Sequence, residues 1–514
     1  MSALVQALND SNARVRYSAL LALSEMGPAA VAAVPALVKT MKDSNSSDGQ
    51  MATGVLGSIG PFASEAVPTL AQALRDAKSH APASVAQAMG RIGPRAAYDL
   101  AKALGDDNSN VRSAAFEALK KMGPVAAPAL IQSLGNPSPE ARKSVFFALN
   151  NIGPLPNDAL PLIAKLLKDS DPSLRSNVAW TLVKFGPAAI SVLTEALKDA
   201  DPNFRSNLLS ALVSLGPAVL PALIQHLRDD DVKVRTAVAD ALGKLGPAAS
   251  SAVPELIRAA RDPDGTLRII AIRTLGMIGA GAKNAVPLLI EALEGNSIQV
   301  RHDALTALGK IGPAAKDAVP ALVKLVAKGQ PLLPFSQLIP SLEMLRRAAD
   351  FEMSMRAVVA LGEIGPAAKD GVPSLVRFLQ HPETWVRMQS AEALVKIAPE
   401  GSQPFSGAVD IFIQAVSATD RDSRSRAVKA LGKIGPPAKN AVPVLVPLLQ
   451  DNGMPSDAAE ALGKIGAPAV PVLVKSFADP YRRKYAVMAL GKVGPAAKDA
   501  IPALAKIIKD PALG

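Results

Sequence analysis

The chain has 514 residues, of which 49% are hydrophobic and only 4% aromatic, with no cysteine and a formal charge of +11. The missing cysteines exclude disulfides and thiolate metal sites, the four histidines His80, His226, His302 and His381 stand too far apart for a spaced ligand pair, and no run approaches the roughly 20 apolar residues of a membrane span. The charge is uneven, since residues 1–257 carry 24 Lys+Arg against 22 Asp+Glu whereas residues 258–514 carry 32 against 23, so any electrostatic recognition belongs to the second half.

The chain opens on MSALVQALND, which lacks the basic start and apolar stretch of a signal peptide. A cytoplasmic protein is the default expectation, although an exported fragment without its leader reads the same. Ser2 to Asn9 reads as a single helix. From there on Gly-Pro returns at Gly27, Gly60, Gly93, Gly123, Gly153, Gly186, Gly216, Gly246, Gly312, Gly365, Gly435 and Gly494, with degenerate copies at Gly279, Ala398 and Gly466. Most spacings are 30 or 33 residues, the period of a stacked repeat array in which each unit buries its apolar face against its neighbours.

The stretch DPNFRSNLLSALVSLGPAVLPALIQHLRD shows one repeat. Asp201 is placed to N-cap a helix whose first residue is Pro202, where proline loses no needed hydrogen bond. Apolar residues follow at helical spacing up to Leu215. Gly216 ends the helix by taking a left-handed conformation, Pro217 bars its continuation, and a second helix runs from about Leu220 to Arg228. Long copies insert three residues before that second helix, which puts Glu65, Asp158, Ser251, Asn284, Asp317, Asp370, Asn440 or Asp499 five after the junction, where they are expected to cap it.

Counted back from each junction, the fourth residue is leucine in fourteen of fifteen copies, the fifth is alanine in twelve, and the residue just before is always Ile, Leu, Val, Met or Phe. These positions are expected to form the core between repeats. Nine copies also place glycine three before the junction, as at Gly243, Gly309 and Gly432. Each such glycine costs about 1 kcal/mol of helix propensity, so close helix packing is the expected compensation.

Some copies depart from the rule. The junctions at Gly60 and Gly93 carry Gly49 and Pro82 where others carry arginine, and Ala398 to Gln403 replaces the usual cap with APEGSQ; these are candidate flexure points. Between Gly312 and Gly365 the spacing grows to 53 residues. The chain is therefore read as one solenoid in three stretches: an array over 1–326, an insertion on its edge over 327–354, and an array over 355–514. Pro331, Pro334 and Pro340 bar a continuous helix through the first half of the insertion, Ser341 to Phe351 can extend one, and Leu332, Leu333, Phe335, Leu338 and Ile339 either fold back on the array, the preferred reading, or await a partner.

The stretch LGKIGPAAKDAVPALVK, from Leu308 to Lys324, resembles the HEAT-repeat family, in particular the short bacterial type called phycobilisome-lyase HEAT-like repeats, and the resemblance spans nearly the whole chain. It implies an all-α fold, an α-solenoid of about fifteen antiparallel helix pairs with the first helix of each pair on the concave surface. It also implies a structural role for the arginine found eleven residues before the junction, at Arg16, Arg112, Arg142, Arg175, Arg205, Arg235, Arg268, Arg301, Arg387, Arg424 and Arg483. With the aspartates six residues earlier (Asp10, Asp106, Asp169, Asp199, Asp229 and Asp262) they would form a ladder tying each loop to the next repeat. The competing reading is a phosphate-binding stripe.

Positions thirteen, nine, six and two before the junction form one helical stripe. It presents Ser144, Phe147 and Asn151, then Ser173, Asn177, Trp180 and Lys184, then Asn203, Asn207 and Ser210. Aromatic anchors ringed by amides and hydroxyls have the composition of a partner-binding surface, with Phe147, Asn151, Asn177, Trp180, Lys184 and Asn207 as its candidate residues; the alternative is that Phe147 and Trp180 tuck against neighbouring helices. Further on the stripe carries Trp385, Gln389, Glu392 and Lys396, then Arg426, Lys429 and Lys433, then Lys464, then Tyr481, Tyr485, Met488 and Lys492. The basic patch Arg426, Lys429, Lys433, Lys464 and Lys492 suits nucleic acid or an acidic protein segment, or merely complements helix dipoles.

No phosphate loop, metal motif or nucleophile with a nearby base is recognisable, and no catalytic residue, metal or cofactor is assigned. The reading is a non-enzymatic scaffold with a protein partner along the concave face, either monomeric or associating end to end, without membrane insertion. Nucleic-acid binding through the second half and a phycobilin-lyase-like accessory activity are the alternatives.

Overall fold

The computed structural model describes residues 1–42, 47–76, 81–198, 201–329, 342–450 and 453–509, with side chains omitted at 342–347 and 509. His80, Asp199 and the insertion residues Pro331 to Pro340 lie outside the described residues. The fold is an all-α solenoid, with no strand among the described residues. It divides into two compact units, Met1–Val219 and Leu220–Gly514.

In the first unit, longer first helices such as Ser47–Ile59, Ser109–Met122, Pro139–Asn151 and Pro172–Leu182 alternate with shorter second helices such as Val67–Arg75 and Ala127–Ser133. The second unit repeats the scheme with first helices Val232–Leu245, Gly265–Ile278, Ile298–Ile311, Leu342–Ile364, Thr384–Ile397, Arg421–Ile434, Pro455–Ile465 and Pro480–Val493. Of the stretch expected to extend a helix, Leu342 to Phe351 do so, in a helix of 23 residues from Leu342 to Ile364, while Ser341 lies outside the described residues. The apolar stretch Ala13–Lys42 is not one span, because Gly27 divides it into Ala13–Met26 and Val34–Lys42, each shorter than the roughly 20 residues needed to cross a bilayer.

First helices start as the sequence predicts. Asn12, Asn108, Ser138, Asp171, Asp201, Asp231, Asp264, Ser297, Asp420 and Asp479 each accept a backbone N–H of the first turn. They also end on glycine. Fourteen of the fifteen junctions carry a glycine at positive φ, and at Ala398 the positive φ is deferred to Gly401. The conformation is not the ordinary left-handed one, however. At Gly312 φ is 66° with ψ at −139°, a region essentially reserved to glycine, where even asparagine is strained.

Second helices do not start as the sequence predicts. After Gly312 the chain continues through a 3₁₀ segment, Gly312–Ala318, and the α-helix Val319–Lys328 begins from Ala318 without any side-chain cap. Asp317 thus sits inside the 3₁₀ segment, as Glu65, Ser251, Asn284, Asp370, Asn440 and Asp499 do in theirs, and Asp158 lies in the short turn Asn157–Ala159. The preceding turn already uses the N–H groups that a cap would serve. At Gly466 the chain bends by 117° between Pro455–Ile465 and Ala467–Ala478, so the two elements of that repeat turn back on each other at an oblique angle.

The leucines four before the junction are fully buried, among them Leu56, Leu242, Leu308 and Leu431. Glycine three before the junction lets the next helix close in. A Cβ on Gly276 would lie 2.8 Å from the Cα of Ala307, and on Gly57, Gly362 or Gly432 it would lie 3.0 Å from the Cα of Ala88, Ala393 or Ala461. In each case the contact is with the alanine five before the next junction. The residue just before the junction departs in part from the expected core position: it is buried at Ile59, Ile92, Ile152, Ile278, Ile311, Ile364, Ile397 and Ile465, half-buried at Met122, Phe185, Leu215, Leu245, Ile434 and Val493, and exposed at Met26.

Candidate functional site

The arginine row is held inside the repeats. Nη1 of Arg142 donates to the carbonyls of Asn136 and Pro137 at 2.9 and 3.0 Å, while Nε and Nη2 take the Asp169 carboxylate of the following loop at 2.6 and 3.1 Å. Asp169 in turn gives its own carbonyl to Arg175 at 2.9 Å and accepts the backbone N–H of Asp171 at 2.9 Å. The pattern recurs at Arg235, which binds the carbonyls of Asp229 and Asp230 and the carboxylate of Asp262, whose carbonyl accepts from Arg268. Arg16 pairs with Asp48 at 2.7 Å and Arg175 with Asp201 at 3.1 Å.

Arg112, Arg387 and Arg483 turn back to the carbonyls six residues earlier, those of Asp106, His381 and Phe477. Arg205 is 4% exposed and donates to the Leu197 carbonyl. Arg301 and Arg424 occupy the matching first-turn positions of Ile298–Ile311 and Arg421–Ile434. Asp169 and Asp262 therefore serve the arginine six residues on through a backbone oxygen and the preceding repeat's arginine through the carboxylate, while Asp10, Asp106 and Asp229 give their arginine a backbone oxygen. Arg16, Arg112, Arg142, Arg175, Arg235, Arg268, Arg387 and Arg483 thus turn donors into the loops ahead of their own helices.

The Arg142 guanidinium holds the Asp169 carboxyl below the usual carboxylate range, with the Asp171 N–H adding to the effect against desolvation. A carboxylate depressed in the folded state stabilises fully above its unfolded pKa, and the benefit is lost as pH falls through the folded value. Acid unfolding of the wild type is therefore expected to steepen below about pH 4, and the slope to flatten in the Arg142→Ala variant; denaturant midpoints measured at pH 3 to 6 decide it.

The predicted partner-binding residues of the first unit lie on adjacent first helices. Phe147 is 60% exposed and stacks on Phe116 of the preceding repeat with centroids 5.3 Å apart, and Trp180 is 47% exposed. Asn151 donates to the Phe147 carbonyl at 2.7 Å. Asn177 is exposed, and its carbonyl accepts from Thr181. Lys184 and Thr181 both donate to Asn150 Oδ1, at 3.2 and 2.9 Å, and Asn207 donates to Ser176 at 2.8 Å. The amides thus brace the face from helix to helix while the two aromatics stand open. Phe116 was missed in the sequence because it lies one position off the stripe; its spacing of 31 residues from Phe147 is the only signal.

In the second unit the cation row is interleaved with acids. Arg426 pairs with Glu392 at 3.0 Å, Lys396 with Glu363 at 2.7 Å, Lys429 with Asp457 at 3.9 Å, and Lys464 and Lys492 with Glu460 at 2.8 and 3.6 Å. Lys433 is exposed. Some of these carboxylates stand in the row itself, Glu392 on the stripe and Glu460 four residues before Lys464, while Glu363 and Asp457 reach Lys396 and Lys429 from neighbouring repeats. Trp385, 43% exposed, meets Phe351 edge to face at 5.8 Å, and Tyr481 is 80% exposed.

Among solved structures the chain is similar to Kap121p bound to Ste12p, at 15% identity and a TM-score of 0.54 over 92% of this chain and 57% of that one. It is likewise similar to Kap121p alone, at 16% identity and 0.54 over 99% and 58%, and to importin beta, at 14% identity and 0.47 over 99% and 81%. The chain thus spans little more than half the length of Kap121p, and at these identities the likeness speaks for the fold alone. No curated protein matches the sequence. Repeated helix pairs broken at glycine, buried leucines four before each break and a cross-repeat arginine ladder agree with what residues 1–81, 67–149, 127–212, 190–265, 253–333, 340–405 and 409–483 match, the pattern described as HEAT repeats: the chain belongs to the HEAT-repeat family.

Proposed function

We propose that the chain is a non-enzymatic scaffold that holds a protein partner against the exposed face of its first helices, anchored by the Phe116–Phe147 stack and Trp180. The observation that carries this reading is the pair of large aromatics left 60% and 47% exposed on adjacent, hydrogen-bonded helices. Such side chains lose little conformational entropy on contact, and rings presented on a braced surface supply most of the energy at interfaces. The Kap121p structures bound to Ste12p and to Nup53p are protein complexes on the same kind of fold. The repeats are further assigned to the short phycobilisome-lyase HEAT-like type, on the strength of the Leu308 to Lys324 junction. The cation row gives no comparable support to nucleic acid, because carboxylates interrupt it from repeat to repeat and leave no continuous basic track for a phosphate backbone.

The immobilised chain is expected to retain partners from cell extract that the Phe147→Ala/Trp180→Ala double variant retains about thirtyfold less well, as for a loss of roughly 2 kcal/mol. Thermal stability should change by no more than about 1 kcal/mol, the worth of an aromatic pair. Identical protein sets on both columns would refute the assignment.

A further inference from the structure

One place in the second unit breaks the packing rule of its neighbours. Elsewhere a glycine three before the junction lies against the alanine five before the next one, with Cβ-to-Cα separations of 2.8–3.0 Å at Gly276, Gly362 and Gly432. At the junction Ala398 the corresponding pair is Val395 and Ala430, where a branched side chain replaces the glycine and both residues line open space. The turn differs as well. Ala398 is extended at φ −78° and ψ 141°, and the second helix, Gln403–Ala415, runs for 13 residues without the usual 3₁₀ segment. A groove of about 500 Å³ opens between Thr384–Ile397 and Arg421–Ile434, lined along its apolar part by Val395, Ala430, Ile434 and the nearly buried Phe412.

The rim is charged. Lys396, Arg426, Lys429 and Lys433 surround the groove against a single lining carboxylate, Glu392. The ion pairs these cations make are solvent-exposed, with side-chain exposures of 51% on both sides for Lys396–Glu363 and 61% and 38% for Lys429–Asp457. Pairs of that kind contribute less than about 1 kcal/mol, so exchanging them for a ligand's carboxylates costs little. An apolar floor inside a cationic rim complements a chain bearing apolar side chains between acids; an oligonucleotide would match the rim but leave the aliphatic floor unused.

We propose that this groove is a docking site for an acidic segment of another protein, whose apolar side chain enters between Val395, Ala430 and Phe412 while flanking carboxylates meet Lys396, Arg426, Lys429 and Lys433. The site belongs to the second unit and deepens the scaffold reading by naming a partner chemistry. It does not depend on the Phe147–Trp180 face.

The test uses the full chain and a short fluorescein-labelled peptide with a central Leu-Phe pair flanked by glutamates, followed by anisotropy. Binding is expected to weaken at least about tenfold, or 1.4 kcal/mol, in Ala430→Trp, which fills the groove, and in Lys433→Glu, which reverses an exposed rim charge outside the packed core. It should weaken similarly when the peptide's Leu-Phe is replaced by Ser-Ser, and stay unchanged in Trp180→Ala. Equal binding to wild type and both groove variants, no binding at all, or displacement of the peptide by a tighter-binding single-stranded oligothymidylate overturns the proposal. Loss in Trp180→Ala with retention in Ala430→Trp overturns it while leaving the scaffold reading intact. Conversely, groove-dependent peptide binding together with unchanged protein capture by the Phe147/Trp180 variant sinks the first-unit assignment alone.

Discussion

Arg142→Ala is expected to destabilise the first unit by about 3 kcal/mol, the cost of breaking a largely buried ion pair from one side. The Asp169 side chain is 5% exposed and that of Arg142 14%, so removing the guanidinium leaves a desolvated carboxylate with little beyond the Asp171 N–H, and frees the carbonyls of Asn136 and Pro137. The contrast is Arg261→Ala, whose pair with Glu291 is 60% and 70% exposed and should contribute less than about 1 kcal/mol. Because repeats contact only their neighbours, the damage should be local. Amide exchange is expected to accelerate first in Pro139–Asn151 and Pro172–Leu182. An Arg142→Ala protein with native exchange and weakened anion binding would restore the phosphate-stripe reading of the row.

The second large effect concerns two glycines that look alike in sequence. Both Gly54 and Gly276 lie inside first helices, where alanine is preferred by about 1 kcal/mol. A methyl on Gly54 meets nothing within 4 Å, so Gly54→Ala should stabilise by close to that amount. On Gly276 it would stand 2.8 Å from Ala307 Cα and 3.0 Å from its Cβ. Overpacking of that kind costs 1–3 kcal/mol, roughly, which outweighs the propensity gain, and Gly276→Ala should destabilise by about 1–2 kcal/mol. Urea midpoints of the two variants, falling on opposite sides of the wild type, are the measurement. A stabilised Gly276→Ala would show that the helices Gly265–Ile278 and Ile298–Ile311 shift apart without penalty.

What was legible in the sequence is what repeats. Helix pairing, first-helix caps such as Asp201 and Asp264, glycine breaks and buried leucines recur in register, so each copy corroborates the others. The second-helix caps were misread because Asp317 and its counterparts have good capping chemistry at a plausible place, yet the 3₁₀ segment already occupies the N–H groups. The open aromatics were visible as Phe147 and Trp180, but the stack with Phe116 needs the lateral offset between adjacent helices. Cation pairing mixes both cases. Lys464 with Glu460 is a four-residue helix pair readable from sequence, whereas Lys396 with Glu363 spans 33 residues and depends on how closely two repeats approach. The groove is hardest to foresee, since its signal is one valine where a glycine would ordinarily stand.

Asp169 and Asp262 each belong to two repeats at once, so such rungs act as clamps in series under mechanical load. A pull along the chain between residues 136 and 201 must open Arg142–Asp169 and Arg175–Asp201 in turn, a sequence of small yields that dissipates work before any helix unravels. Where Gly49 and Pro82 take the arginine's place, the sequence supplies no guanidinium at that position for such a clamp. Tension would therefore part the helices Ser47–Ile59 and Pro82–Ile92 first, making that segment of the first unit its mechanical fuse.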